Sequence, residues 1–310
     1  MQLRIVFAGT PAFAVPTLDA IIAAGHHVPA VYTQPDRPAG RGRNLKPSEV
    51  KTRALELELA VEQPLSMRMP ETLPRLRQLA PDVLVVVAYG LILPQSVLDV
   101  PRLGCFNIHA SLLPRWRGAA PIQQAILAGD SMTGVTIMRM TAGLDEGPIL
   151  AQREQRIDAH MTAGELHDAL APAGATLMVE VLDSVAAGTA VAREQDAGAA
   201  TYAPKISKDD ARIVWSDSAA SIVRRIRAYD PWPGAAALWR GEQIKIWRAE
   251  VRAGRLGARP GEVLSADASG IEVACGHGSL ALRTLQLPGR KRIDAADFLH
   301  AHSIAGDSLS

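Results

Sequence analysis

The stretch LRIVFAGTPAFAVPTLDAIIAAGHHVPAVY, residues Leu3 to Tyr32, decides the fold. Leu3 to Ala8 is an unbroken apolar run closed by Gly9. A helix-like stretch follows to Ala24 with Gly25 as its stop, and a second apolar run extends from Val28 to Tyr32. Short runs without polar alternation suit strands covered on both faces, so the segment reads as a βαβ start and predicts a parallel sheet. The turn FAGTPAF has one glycine where the dinucleotide fingerprint needs three, and no Gly-Lys-Ser/Thr follows, which sets nicotinamide binding aside.

Working outward, DVLVVVAYG (Asp82 to Gly90) is the strongest strand signal in the chain. LGCFNIHA is the next strand and GVTIMRM (Gly134 to Met140) another. A long helix is expected from a cap near Thr162 to a stop near Gly188. The pattern then breaks down between Thr189 and Ser207, which reads as a connector. After it come one helix (Ser218 to Ala228) and short strands spaced by Gly and Pro: IKIWRAEV, GEVLSA, GIEVACG and SLALRTLQL. That spacing predicts a small β-barrel. The expected organisation is a catalytic domain over residues 1–188, a connector over 189–207 and a barrel domain over 208–310.

Composition agrees with two folded domains, since 310 residues with 48% hydrophobic content are enough to fill cores of that size. The net charge is +1, with a mild basic excess after Lys205. Cys105 and Cys275 are far apart in sequence and lie in no CxxC or CxxH pattern, so neither a disulfide framework nor zinc is indicated, and a reducing compartment fits. The opening LRIVFAG lacks the features of a secretory leader and no apolar run reaches membrane-spanning length. The expectation is therefore a cytoplasmic protein with no membrane association. The pairs His26-His27 and His300/His302 lack partners at metal-ligand spacing and read as surface histidines. Trp215, Trp232, Trp239 and Trp247 could stack on bases, but barrel core is the better default.

The stretch FNIHASLLPRWRGAAPIQ (Phe106 to Gln123) carries the chemistry. Residues i and i+2 of a strand share a face, so Asn107 and His109 project together near its carboxyl end, where ligands bind in open α/β sheets. Alone, this spacing favours a hydrogen-bonded amide and a half-buried imidazole. A second cluster, TAGLDEGPIL, places Asp145 in a Gly-flanked loop just past a neighbouring strand. Amide, imidazole and carboxylate together offer an oxyanion donor, a proton carrier and an anion to orient it. Ser111 lacks the elbow of a nucleophilic serine. The set suits direct attack of an amine on an activated acyl group.

These motifs, with VVVAYGLILP and FAGTPAFAVPTLDAI, closely resemble the 10-formyltetrahydrofolate-dependent formyltransferases. The stretch TQPDRPAGRGRNLKPSEVK (Thr33 to Lys51) resembles the branch acting on methionyl initiator tRNA, and the likeness extends to DPWPGA in the second domain. The resemblance implies an α/β fold, a Rossmann-like mostly parallel sheet domain followed by a small OB-like β-barrel. It implies that Asn107, His109 and Asp145 are catalytic and that Ser111, Leu112, Leu113 and Pro114 contact the folate. It further implies that the backbone of Ala88, Tyr89, Gly90, Leu91, Ile92 and Leu93 lines the pterin pocket. The formyl donor would be 10-formyltetrahydrofolate, with no metal needed, and nothing demands more than a monomer. Glu146 departs from the family pattern, in which a small or hydroxyl residue often follows the Asp, and leaves local loop contacts open.

Six cations, Arg37, Arg41, Arg43, Lys46, Lys51 and Arg53, stand against the single acid Glu49 in a stretch whose glycines and prolines predict an irregular loop. Composition alone favours a solvated loop. With the resemblance, Arg37, Arg41, Arg43 and Lys46 become expected phosphate contacts for the tRNA, extended by Arg224, Arg225, Arg227 and GRKR at Gly289 to Arg292. A folate hydrolase, a sugar-nucleotide formyltransferase and an RNA-binding protein without catalysis are the competing readings.

Overall fold

The computed structural model describes residues 1–39, 44–255, 257–267 and 269–310. The chain divides into two compact units. One comprises Met1–Pro121, Met132–Arg156 and His167–Ala203, and the other Ile122–Ser131, Ile157–Leu166 and Pro204–Ser310. In chain order the elements begin with β1 (Arg4–Gly9), α1 (Val15–Ala23), β2 (His27–Tyr32), β3 (Arg37–Ala39), β4 (Asn44–Lys46), α2 (Glu49–Glu56), β5 (Val61–Glu62) and α3 (Thr72–Gln78). They continue with β6 (Val83–Val87), α4 (Gln95–Leu98), β7 (Gly104–His109), β8 (Arg117–Gly118), α5 (Pro121–Ala128), β9 (Met132–Arg139), β10 (Ile149–Arg156), α6 (Ala163–Ala186) and β11 (Tyr202–Ala203).

The first unit is built on a seven-stranded sheet in the order β10-β9-β7-β6-β1-β2-β5. From β5 to β7 the pairs are parallel, and β9 runs antiparallel to both β7 and β10. The sheet is therefore mostly parallel, as the continuous apolar runs predict: all of VLVVV in β6 is buried. Because β2 and β6 flank β1 on opposite sides, the chain reverses its travel across the sheet at β1, and the carboxyl ends of β1, β6 and β7 open on one crevice. Helix α6 is long and apolar enough to cross a bilayer by length and composition alone, yet Leu170, Met178 and Leu182 are buried. Gly174 lets it approach the sheet closely, since a Cβ there would meet Ile108 at 2.8 Å.

Two sequence expectations need correction. The stretch Arg37 to Arg53 is not simply irregular: Arg37 pairs with Lys46 and Pro38 with Leu45 in a short antiparallel ladder, and α2 follows with Ser48 as its N-cap, accepting from Lys51 N. His26 is buried rather than superficial; its Nδ1 accepts from Leu3 N at 3.3 Å, and burial lowers its pKa. The segment after Gly188 carries one short 3-10 turn, Ala197–Ala199, and is tied to the first unit: Arg193 exchanges backbone hydrogen bonds with Ile149, and β11 pairs in parallel with β8.

In the second unit α7 (Ala219–Ala228) is capped by Ser218. It is followed by β12 (Ala236–Trp239), β13 (Glu242–Arg252), β14 (Val263–Asp267), β15 (Gly270–Ala274), β16 (Ser279–Gln286), β17 (Ile293–Asp294) and α8 (Ala295–Ala301). The strands form an antiparallel sheet in the order β12-β13-β16-β15-β14, with β17 on β16. Trp215, Trp239 and Trp247 are buried as expected, whereas Trp232 is 52% exposed. At the chain end, Leu309 bridges to Trp239 while Ser308 bridges to Glu262, so the tail spans both edges of the sheet.

Candidate active site

The site grows from the end of β7. Asn107 faces Met138 of β9 in the register and His109 faces Thr136, so the two share one face as the period of a strand demands. His109 is 5% exposed, and Asn107 is half-buried. Among the described residues the Asn107 carboxamide has no hydrogen-bond partner, which leaves its N–H groups available to a ligand.

His109 Nε2 lies 2.8 Å from the carbonyl oxygen of Trp116. A carbonyl can only accept, so Nε2 carries the proton and Nδ1 is the nitrogen left over. That nitrogen lies 3.7 Å from Asp145 Oδ2. The same carboxylate oxygen accepts from Gly118 N at 2.8 Å. The Trp116 carbonyl holds the ring, and the carboxylate stands just beyond hydrogen-bond reach of it. Trp116 and Asp145 both adopt left-handed backbone conformations, at φ of 64° and 51°, uncommon for residues with a Cβ and kept only where surroundings dictate them.

Those surroundings are specific. Thr136, fully buried on β9, donates from Oγ1 to Ser111 O at 2.6 Å and accepts from Leu113 N and Gln152 Nε2. Ser111 is also fully buried, and its hydroxyl donates to Arg115 O at 2.6 Å, so it serves the loop. Gln195 Nε2 donates to Asp145 O at 2.9 Å and Gly147 O at 2.7 Å, and its Oε1 accepts two bonds from Arg117. Thr201 Oγ1 accepts from Trp116 N at 2.9 Å. Gly118, at φ 115°, admits no side chain, since a Cβ would come within 2.6 Å of Ala203 O. Sequence reading missed Thr136, Gln195, Thr201 and the Trp116 carbonyl. Only Thr136 carried a signal, as the residue on the neighbouring strand that faces His109.

The AYGLIL turn sits at the carboxyl end of β6. Ala88, Gly90 and Ile92 are exposed, Leu91 is half-buried, and Tyr89 and Leu93 are buried. The Tyr89 carbonyl accepts from Thr10 Oγ1 and Gln34 Nε2, both at 2.9 Å. Burial raises the pKa of Tyr89, whose hydroxyl donates to Met67 Sδ. Leu112 and Pro114 are half-buried and Leu113 is buried. Glu146 is exposed, its carboxylate lying against Gly143. Cys105 and Cys275 are buried, and burial pushes both thiols up to about 12, so neither supplies a thiolate nucleophile.

The basic stretch is less free than its composition suggests. Lys51 pairs with Asp36 at 2.7 Å, which holds the Asp36 carboxyl below its usual range, and Arg53 pairs with Asp19 and Glu56. Arg37 donates to Gln34, and the exposed Lys46 pairs with Glu49 at 3.2 Å. Arg41 and Arg43 lie outside the described residues. In the second unit Arg224, Arg225 and Arg227 donate to the carbonyls of Leu127, Arg212 and Met161. Arg292 pairs with Asp230 and stacks 3.5 Å from the Trp247 ring.

Residues 3–182 match the formyl transferase family model and residues 205–303 match its C-terminal domain. The chain is 53% identical over 307 residues to a methionyl-tRNA formyltransferase of Methylococcus capsulatus, covering 99% of both chains. It is 54% identical over 303 residues to one of Aromatoleum aromaticum, covering 98% of this chain and 95% of that one. Among solved structures it resembles the N-formyltransferase from Helicobacter canadensis in complex with folinic acid and dTDP-3-aminofucose, at TM-score 0.67 and 19% identity, covering 91% of this chain and 99% of that one. It also resembles HypX from Aquifex aeolicus in complex with tetrahydrofolic acid, at TM-score 0.65 and 17% identity, covering 96% of this chain and 47% of that one.

Proposed function

The chain belongs to the formyl transferase family, and from that we propose that it transfers the formyl group of 10-formyltetrahydrofolate to the α-amine of methionyl initiator tRNA, a step of translation initiation. The observation that carries this reading is the meeting of Asn107 and His109, on one face of β7, with the Asp145 carboxylate 3.7 Å from the imidazole, in a chain more than half identical to curated methionyl-tRNA formyltransferases.

The α-amine attacks the formyl carbon. Asn107 donates to the formyl oxygen as it becomes anionic. His109, its Nε2–H committed to the Trp116 carbonyl, takes a proton at Nδ1, and Asp145 stabilises the imidazolium that results. The C–N bond to the folate then breaks, and the proton leaves with the folate nitrogen. Positioning the amine against the formyl group supplies much of the remaining rate.

In this reading the backbone of Ala88, Tyr89, Gly90, Leu91, Ile92 and Leu93 lines the pterin pocket. Leu112, Leu113 and Pro114 contact the folate, while Ser111 acts through the loop that its hydroxyl braces. Arg37, Arg41, Arg43 and Lys46 contact tRNA phosphates. The organisation is a catalytic domain over 1–188, a connector over 189–207 that is bonded to that domain through Arg193 and β11, and a tRNA-binding domain over 208–310. The tail bridges at Ser308 and Leu309 support its closure as an OB-like barrel. The enzyme works as a cytoplasmic monomer without membrane contact.

The test is to supply labelled 10-formyltetrahydrofolate with charged initiator tRNA, with an amino-sugar nucleotide, or with water alone. Label moving only to the tRNA is expected. Release to water at the same rate without tRNA favours a hydrolase, and transfer to the sugar favours a sugar-nucleotide formyltransferase.

A further inference from the structure

The segment between Arg193 and Ala203 contributes no group that could take part in formyl transfer, yet it touches both halves of the His109–Asp145 pair. Gln195 commits its whole carboxamide to the Asp145 side. Two N–H bonds go to the carbonyls of Asp145 and Gly147, at 2.9 and 2.7 Å, and its oxygen takes both Nε and Nη2 of Arg117, at 3.0 and 2.8 Å. Arg117 is 5% exposed, and the next residue, Gly118, is the one whose N–H holds the Asp145 carboxylate. One side chain therefore fixes the loop that carries the carboxylate and the strand that aims it.

Thr201 does the same for the imidazole. Its hydroxyl accepts from Trp116 N, its carbonyl accepts from Arg117 N at 2.8 Å, and its own N–H donates to Pro114 O at 3.3 Å. These three bonds hold the Trp116 peptide in its left-handed turn, and the carbonyl so aimed is the one that receives His109 Nε2. Arg193 anchors the upstream end by donating to Gln152 Oε1 at 2.9 Å, and the Gln152 amide in turn bonds Thr136 Oγ1 and Leu113 O.

We infer that residues 193–203 form a positioning strap of the active site, in which Gln195 sets the Asp145 carboxylate and Thr201 sets the proton-bearing nitrogen of His109. The inference rests on the proposed roles of His109 and Asp145. Its physical basis is that reaction geometry tolerates little error: a misplacement of about 1 Å costs on the order of a hundredfold in rate. A strap built from side chain to backbone bonds fixes positions within such a margin without touching substrate.

The experiment compares single-turnover formyl transfer, at saturating formyl donor and charged tRNA and across pH, for the wild type, Thr201→Val, Thr201→Ser, Gln195→Glu and His109→Gln. Valine keeps the shape of Thr201 but offers Trp116 N no acceptor, and serine restores the acceptor. Glutamate keeps a partner for Arg117 but cannot donate to the Asp145 and Gly147 carbonyls. Thr201→Val and Gln195→Glu are expected to slow the chemical step roughly ten- to a hundredfold, to displace the pH–rate profile and to leave the dissociation constants of both substrates near wild type. Thr201→Ser returns rate and profile to wild type. A wild-type rate and pH profile per folded molecule in both Thr201→Val and Gln195→Glu, alongside a slow His109→Gln, overturns the strap alone. A wild-type rate in His109→Gln overturns the catalytic reading on which the strap depends.

Discussion

His109 and Trp116 are joined by a 2.8 Å contact between Nε2 and a main-chain carbonyl, and that contact fixes which nitrogen of the imidazole meets the Asp145 carboxylate. Glutamine can present an N–H to the same carbonyl but cannot carry a proton. His109→Gln should therefore fold with a melting temperature close to wild type and lose about a hundred- to ten-thousandfold in single-turnover transfer, with folate affinity kept. A rate near wild type would remove His109 from proton transfer.

Asn107→Ala is expected to lower the chemical rate roughly a hundred- to a thousandfold, the usual cost of deleting one oxyanion donor, with a much smaller effect on folate affinity. Single-turnover transfer and equilibrium folate binding separate the two effects. A loss confined to binding would make Asn107 a ligand anchor.

Replacing Arg41, Arg43 and Lys46 together by Ala should weaken tRNA binding and flatten its salt dependence by ~0.7 to 0.9 in log–log slope for each phosphate that the variant no longer neutralises. Folate affinity should not change. Titrations of tRNA at several salt concentrations measure this, and parallel slopes for wild type and variant would take the stretch out of the tRNA site.

His26 gives the protein a pH dependence unrelated to catalysis. Burial, the largest influence on it, lowers its pKa in the folded state, with Asp183 opposing. Between that lowered value and the unfolded value of about 6.5 the unfolded chain binds more protons, so stability falls as pH drops through this window and levels off below it. Asparagine at position 26 can still accept from Leu3 N but does not titrate. Urea unfolding of His26→Asn should lack that part of the acid slope, and an identical slope in the two proteins would contradict the assignment.

What the sequence revealed follows from which interactions are local. The buried parallel strands β1 and β6 show as continuous apolar runs because both of their faces are covered, and Asn107 and His109 are coupled by the two-residue period of β7. The strand β10, ILAQREQR, is at the sheet edge and half-exposed along most of its length, so its charges hide it. Asp145 was visible from its glycine-flanked loop. The Trp116 carbonyl was not, because any residue supplies a carbonyl, and Gln195 and Thr201 reach the site from 48 to 85 positions away in sequence, with no pattern to mark them. His26 was misjudged because its partner is Leu3, the residue just before β1, a contact that composition does not encode.

That His109 and Asp145 act as one unit on the attacking amine is tested by a double-mutant cycle, with single-turnover formyl transfer to charged initiator tRNA measured for His109→Gln, Asp145→Asn and the double variant at saturating substrates. The double variant is expected to be little slower than the slower single one, since removing either member already disables the unit. Rate losses that multiply, with each substitution costing its full factor in the presence of the other, would show instead that the two residues act independently.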